Sequence, residues 1–340
     1  MSSAATDLLG DGAQALRCVT CTSTLELESQ QSVLVCSGCA ARFLIADGTP
    51  RMLRPDARPA EEAAVAQRTA ESFAYEWERF GVMRDEWAKN FAHYMRPHTP
   101  QSLAGKSVLD VGAGSGRHSF HAAQAGARVI AVDLGASIDV ARRNLPDSVL
   151  TVQADAEALP FDPGSFDLVM SIGVLHHLPD TERALCSIAR YAKPGGHVHV
   201  YLYWVPERLW HRRLLRAVTM LRRLTVRLPH RVLHALCLPL AVVLHIVFVA
   251  PHRVLRERPR TASLADALPL KTYADYPFSV LVNDQFDRFS APLERRFTAD
   301  EVRAAMEAAG LEDVVVLANH GWVADGRRPT SPRRAGTPPA

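Results

Sequence analysis

From residue 106 the chain alternates short apolar runs with amphipathic stretches, the pattern of parallel strands joined by crossing helices. Runs of strand length fall at Lys106–Val111, Ala127–Asp133, Val149–Gln153, Phe166–Ser171 and His197–Tyr203. Helical stretches at 115–125, 136–144 and 180–192 lie between most of them, and Lys193-Pro194-Gly195-Gly196 predicts a turn before the fifth strand. The alternation stops at Pro206 and resumes near 298. There Thr298 and Glu301 form a capping-box pattern that opens a helix over 299–309, closed by Gly310. Val314–Leu317 follows as a sixth strand. The pattern predicts an α/β fold, a mostly parallel sheet with helices on both faces, interrupted after strand five.

The remaining regions differ in character. Residues 15–50 are strand-like and rich in cysteine, and Pro50, Pro55 and Pro59 mark a linker after them. Helices are predicted over 60–96, with seven of the chain's 24 aromatics between Phe73 and Tyr94. Region 60–100 therefore reads as an aromatic helical cap that covers something apolar. A core over 104–205, an insertion over 206–297, a returning part of the core over 298–326 and a disordered tail over 327–340 complete the division.

Composition narrows the class. In 340 residues, 48% are hydrophobic and 22% charged, which excludes a chain disordered throughout, a collagen-like repeat and a disulfide-stapled miniprotein. The net charge of +3 names no partner. Its distribution is more telling: residues 206–260 hold twelve Arg against two Glu, leaving the rest at about −7. Met1–Gly12 has no apolar segment of the secretory kind, and the expected location is the cytoplasm.

Asp110-Val111-Gly112-Ala113-Gly114-Ser115-Gly116 joins a predicted strand to a predicted helix, where glycines let a ligand approach backbone amides. No Gly-Lys-Ser/Thr follows, as a P-loop requires, and Arg117 stands where a dinucleotide fingerprint wants its third glycine. Asp133 ends the second strand, placed for an acid that accepts from two ribose hydroxyls. Asp155-Ala156, Leu159-Pro160-Phe161, Ser165-Phe166-Asp167, Ser171 to His177 and the Lys193–Gly196 turn follow in order.

This series resembles the class I S-adenosylmethionine-dependent methyltransferases, in the branch that holds the ubiquinone and menaquinone methyltransferases. The resemblance spans roughly 104–203, with weaker agreement at 298–324. It implies a Rossmann-like sheet and S-adenosylmethionine as cofactor. It also implies that Asp110 holds the loop and reaches the methionine amino group, with Gly112, Ala113, Gly114 and Gly116 against the cofactor. Asp133 would take the ribose hydroxyls, Leu134 would pack on adenine, and Asp155 would accept from the adenine amino group beside Ala156. Ser171 and Ile172 would face the methionine side. The acceptor is not named by these motifs.

Methyl transfer from a sulfonium needs two partners oriented, and a base only for an un-ionised hydroxyl or a carbon acid. His176 and His177 are the candidate catalytic bases, with packing or capping as the other reading. Tyr201, Tyr203 and Trp204 are candidates to line the acceptor pocket. Asn283-Asp284-Gln285-Phe286-Asp287-Arg288-Phe289 resembles acceptor-shaping segments of related methyltransferases, against the reading of a solvated loop.

Cys18-x-x-Cys21 and Cys36-x-x-Cys39 have the spacing of a four-cysteine zinc ribbon. Four thiolates leave no open position, so the zinc would be structural. In the insertion, a helical projection of 207–228 sets Arg208, Arg212, Arg213, Arg216, Arg222, Arg223 and Arg227 opposite Trp210, Leu214, Val218, Leu221 and Leu228. Val232–His252 then carries no Asp, Glu, Lys or Arg, and Pro239 is expected to interrupt it.

The sequence thus predicts a cytoplasmic methyltransferase of a small or lipid-like acceptor, whose segment 206–260 lies on a membrane surface or covers a greasy acceptor without spanning a bilayer. Three alternatives stand beside parts of this reading. One is an RNA base methyltransferase with the ribbon as its RNA-recognition module. Another is a non-catalytic cofactor-binding adaptor. The third makes the insertion a helical subdomain with buried apolar faces and a solvated Arg face.

Overall fold

The apolar runs form their strands in a computed structural model that describes residues 16–28, 32–54, 56–206, 209–258 and 260–330. Met1–Gly12 and residues 331–340 lie outside the described residues. The chain divides into two units, one of residues up to Ala74, Gly81–Val205 and from Leu293 onward, the other of Tyr75–Phe80 and Pro206–Pro292.

The first unit opens with four short antiparallel strands paired in sequence order: β1 (Leu25–Glu28), β2 (Val33–Cys36), β3 (Arg42–Ala46) and β4 (Thr49–Pro50). Helix α1 (Ala60–Phe80) begins here and passes into the second unit at Tyr75, and α2 (Trp87–Tyr94) follows. Then come β5 (Ser107–Val111), α3 (Arg117–Gln124), β6 (Arg128–Asp133), α4 (Ser137–Asn144), β7 (Leu150–Gln153), β8 (Phe166–Ile172), α5 (Thr181–Ala189) and β9 (Ala192–Leu202). These five strands are parallel and run β9-β8-β5-β6-β7 across the sheet. The order reverses between β5 and β8, and such a switch point is where open α/β sheets bind ligands, beyond the strands' carboxyl ends.

The four-stranded ribbon is built into this core. Leu16, Leu34, Phe43 and Met52 share one buried cluster with Leu109, Val152 and Phe161. The chain after β4 runs along β7: the Met52 amide donates to the Gln153 carbonyl at 2.7 Å, and the Thr49 and Thr151 hydroxyls meet at 2.7 Å. An otherwise open sheet edge is thereby covered.

Three expectations change here. The Lys193–Gly196 turn lies within β9 as a bulge, since pairing jumps from Phe166 with Ala192 to Leu168 with His197. A seventh strand, β11 (Trp322–Arg327), was not predicted, and it fits antiparallel between β9 and β10 (Glu312–Ala318). The tail therefore does not begin at 327. The Arg328 amide donates to Gly196, and its guanidinium holds the carbonyls of Arg190 and Ala192.

The second unit contains α6 (Leu209–Thr225), α7 (His230–Leu244), α8 (Ala250–Arg256), α9 (Ala262–Ala267) and α10 (Phe278–Ser290). It ends at Pro292 and not at 297, because Leu293, Arg295 and Phe297 bond to His177, His176, Tyr203 and Val205 of the first unit. The helix predicted over 299–309 is α11 (Ala299–Ala308), with its capping box formed and Gly310 left-handed. Pro239 does not break α7. The helix continues through a π turn at His245–Val249 into α8, giving 27 residues, His230–Arg256, long and apolar enough to cross a bilayer by length and composition.

The insertion's apolar faces are not buried as a helical subdomain would bury them. Only Leu233, Cys237, Ala241 and Val249 form an inward stripe along this helix, packing with Phe286 or Leu281 and their neighbours. Leu209, Leu214, Met220, Leu221 and Leu224 of α6 are at least half exposed, as are Leu236, Val243, Ile246 and Val247. Arg222, expected on a solvated face, is buried. Arg208 lies outside the described residues.

Candidate functional site

The glycine loop leaves the end of β5 and turns left-handed at Gly112 (φ 81°), Gly114 (φ 56°) and Gly116 (φ 82°). Side chains resist this conformation. A Cβ on Gly112 would also stand 2.3 Å from Val174 Cγ2, so the loop leaves no room for another residue there. The Gly112 and Ala113 amides both donate to the Val132 carbonyl, which ties the loop to the end of β6.

Asp133 closes the tie. Its Oδ2 accepts from the Gly114 amide at 2.9 Å, and its Oδ1 from the Gly135 amide at 2.9 Å and the Ser137 hydroxyl at 3.1 Å. Burial nevertheless raises its carboxyl above the ordinary range. Asp110 accepts from the Ser119 hydroxyl at 2.7 Å, and burial pushes its carboxyl up to about 7, with Asp133 adding in the same direction. Two desolvated acids beside the glycine turns suit a cationic, hydroxyl-bearing ligand. Leu134 is half-buried next to them, and Gln153 Nε2 holds the Leu134 carbonyl at 3.0 Å.

Asp155 is more committed than the sequence implied. Arg58, from the linker, grips both of its oxygens, and the Glu157 amide donates to Oδ1 at 2.9 Å. A carboxylate offers about four lone pairs, so room for roughly one more donor remains, enough for an amino group. Ala156 is half-buried beside it. Arg58 is buried and was not singled out in the sequence, where a lone arginine in a proline-rich stretch gives no sign of a partner. Its ion pair extends to Glu157, which also holds Arg183 at 2.6 Å. Arg58→Met leaves both acids without this guanidinium and is expected to cost about 3–5 kcal/mol of unfolding free energy, read from urea denaturation. An unchanged midpoint would show that the pair contributes nothing net.

Ser171 is spent on structure. It is fully buried, and its hydroxyl donates to the Val111 carbonyl at 2.9 Å, fixing the loop's take-off point. Ile172 is buried next to it.

His176 and His177 sit together on a short 3₁₀ turn after β8, with ring centroids 4.3 Å apart. His176 is wholly buried and stacks on Tyr203 at 3.9 Å. Burial, with His177 next in effect, holds its pKa well below the ordinary range, so it is neutral at physiological pH. His177 Nδ1 lies 2.7 Å from the Leu293 carbonyl. A carbonyl only accepts, so Nδ1 carries the proton and Nε2 the lone pair.

Of the other acceptor candidates, Tyr203 lies against both histidines, whereas Tyr201 is turned into the core. The Tyr201 hydroxyl donates to the His320 carbonyl at 3.2 Å, and its ring packs on Tyr94. Trp204 packs on Trp322. The Asn283–Phe289 segment is helix, part of α10, and not a loop. Phe286 and Phe289 face inward, and Asn283 Oδ1 and Gln285 Nε2 are buried without hydrogen-bond partners among the described residues.

The four cysteines converge. Cys18 and Cys39 sulfurs lie 3.7 Å apart and those of Cys21 and Cys36 3.3 Å apart, and all four fall within 4.8 Å of one another. Ligands at ~2.3 Å in a tetrahedron stand roughly 3.8 Å apart, so the set fits a zinc ion. Amides of Thr20, Gly38 and Cys39 point at Cys18 or Cys36 sulfur at 3.3–3.4 Å, which stabilises thiolates.

Comparison with known proteins agrees with the loop geometry. Residues 109–200 match a family described as "Methyltransferase domain". The ubiquinone biosynthesis O-methyltransferase of Stutzerimonas stutzeri is 42% identical over 102 residues, 28% of this chain and 44% of that protein. The enzyme of the same name from Methylococcus capsulatus is 36% identical over 129 residues, 36% of this chain and 54% of that one. The chain thus spans about half the length of the curated relatives it matches. Among solved structures, the 1,6-didemethyltoxoflavin-N1-methyltransferase of Burkholderia thailandensis, bound to its namesake compound and S-adenosylhomocysteine, covers 86% of this chain and 97% of its own. It does so at 18% identity and a TM-score of 0.44. The glycine loop, Asp133 and Asp155 all lie within the stretch that matches this methyltransferase-domain family.

Proposed function

We propose that this protein is an S-adenosylmethionine-dependent methyltransferase that acts on a small or lipid-like acceptor. The glycine loop braced by Asp133 carries this reading, because it turns left-handed at three glycines beside Asp110 and Asp133 at the sheet's switch point. In this reading Gly112, Ala113, Gly114 and Gly116 lie against the cofactor, Asp110 takes its amino group, Asp133 its ribose and Asp155 its adenine amino group. The bound cofactor supplies an activated methyl group whose transfer leaves a neutral thioether. The chain orients the acceptor in line and removes a proton where the acceptor is a hydroxyl. We assign the base role to His177, whose ring is fixed by the bond from Nδ1 to the Leu293 carbonyl; both histidines are buried, His176 completely.

The test is transfer of a labelled methyl group from S-adenosylmethionine to a panel of phenols and quinols with and without isoprenoid tails. Label in a tailed hydroxyl product is expected, and His177→Ala should lower kcat on it by ~100-fold or more. Label appearing only in RNA would replace this reading with the nucleic-acid one. The ribbon argues against that outcome, since its apolar face is spent on the chain's own core.

The second unit supports a peripheral place at a membrane surface. Its exposed leucines and valines lie among arginines, a combination suited to anionic lipid surfaces. A single crossing is excluded by topology: β9 precedes the insertion, β11 follows it, and the two pair directly. Flotation with phosphatidylglycerol-containing vesicles is expected to carry the protein up. Replacing Leu236, Val243 and Ile246 with glutamate should leave it in the dense layer. Unaltered flotation of that variant would remove the membrane reading.

A further inference from the structure

A second cluster of metal-ligating side chains lies away from the cysteines and plays no part in the cofactor site. His197 and His199 are two residues apart on β9 and so share one face of the sheet. Asp325 on β11 pairs directly with His199, and His98, just after α2, joins them. His98 Nε2 stands 2.6 Å from Asp325 Oδ1, His199 Nδ1 3.4 Å from the same oxygen, and His197 Nδ1 2.8 Å from Oδ2. His199 and Asp325 are buried, and His98 is nearly so.

The protons on His199 make the arrangement informative. Its Nε2 lies 2.7 Å from the Tyr94 carbonyl, which can only accept, so Nε2 carries a hydrogen. In the neutral ring, Nδ1 then presents a lone pair to a buried carboxylate oxygen. Two acceptors face each other there unless a cation lies between them. A hydrogen bond from the far ring nitrogen to a backbone carbonyl is also how metal-bound histidines are held in the correct tautomer.

We infer that His98, His199 and Asp325 form a second metal site, for a divalent first-row cation of zinc's class. Two imidazoles and one carboxylate suit Zn²⁺ or Fe²⁺; ligands at ~2.1 Å in a tetrahedron stand roughly 3.4 Å apart, the separation of His199 and Asp325, while His98 Nε2, 2.6 Å from that oxygen, would move outward to admit the ion. His197 donates its Nδ1 hydrogen to the second carboxylate oxygen and so orients Asp325. The ion would clip the end of α2, through Tyr94 and His98, to strands β9 and β11. A proton on His199 would satisfy the same geometry, and the experiment separates the two.

The untagged full-length chain, stripped with chelator, is titrated with Co²⁺ and followed from the near-ultraviolet to the visible. The first equivalent is expected to raise the intense thiolate-to-cobalt band of the ribbon. The second should add only weak visible bands and no further thiolate band. His98→Ala should abolish the second phase, weakening it by more than about a hundred-fold, while the thiolate band of the first reports an intact fold. Saturation at one equivalent in the wild type overturns the site and leaves a protonated histidine in its place. A second phase that survives both His98→Ala and Asp325→Asn overturns it equally.

Discussion

Replacing Asp133 with alanine is expected to reduce affinity for S-adenosylmethionine and S-adenosylhomocysteine by about a hundred- to a thousand-fold. Asp133 makes two sets of bonds. It braces the glycine loop through Gly114, Gly135 and Ser137, and in the proposed reading its remaining lone pair, on Oδ2, is offered to the ribose. A hydrogen bond to a charged group contributes about 1.5–3 kcal/mol, and losing the one to the ribose together with the loop's brace gives roughly 3–4 kcal/mol. Asp133→Asn should fall between, since its amide oxygen can still accept from one partner. Isothermal titration with S-adenosylhomocysteine measures all three proteins. Undiminished binding by Asp133→Ala would end the cofactor assignment.

The second large effect is expected on removing the zinc that we propose the four cysteines hold. Zinc held by four cysteines contributes about 10–16 kcal/mol of apparent binding free energy, comparable to the whole stability of a domain. Here the ribbon shares its buried cluster with the central sheet, so its loss cannot stay local. Titrating the thiols with a mercurial should release one zinc per chain. Cys36→Ser should lower the melting temperature by more than about 10 °C or prevent soluble expression. A variant that melts with the wild type, or a preparation whose thiols release no zinc, would make the four cysteines an unloaded cluster.

Legibility from sequence followed how local each feature is. The glycine loop was readable because a left-handed turn between strand and helix demands glycine, whatever packs around it. The cysteine pairs were readable because two tight turns set their sulfurs within reach of one another, and the capping box at Thr298 because it closes within four residues. Arg58 was not readable, since its meaning lies in Asp155, 97 residues away. Trp322-Val323-Ala324-Asp325-Gly326-Arg327 has no strand periodicity and becomes a strand only because β9 offers it an edge. Pro239 misled for a related reason. A proline removes one helical hydrogen bond, and here the surrounding turns continue without it. The alternating His197 and His199 were visible, but nothing local pointed to Asp325.

The late strand β11 also constrains how the protein is made. β9 is complete by Leu202, yet the partner that pairs with that residue, Trp322, is translated roughly 120 residues later. At about 5–20 residues per second, the nascent sheet presents an unpaired, apolar edge for on the order of ten seconds while the arginine-rich insertion leaves the ribosome. Closure of the sheet is therefore a late, long-range event whose rate is governed by topology more than by local preference. Truncation before Trp322 would remove the strand that caps β9 and leave a chain with a ready template for edge-to-edge aggregation.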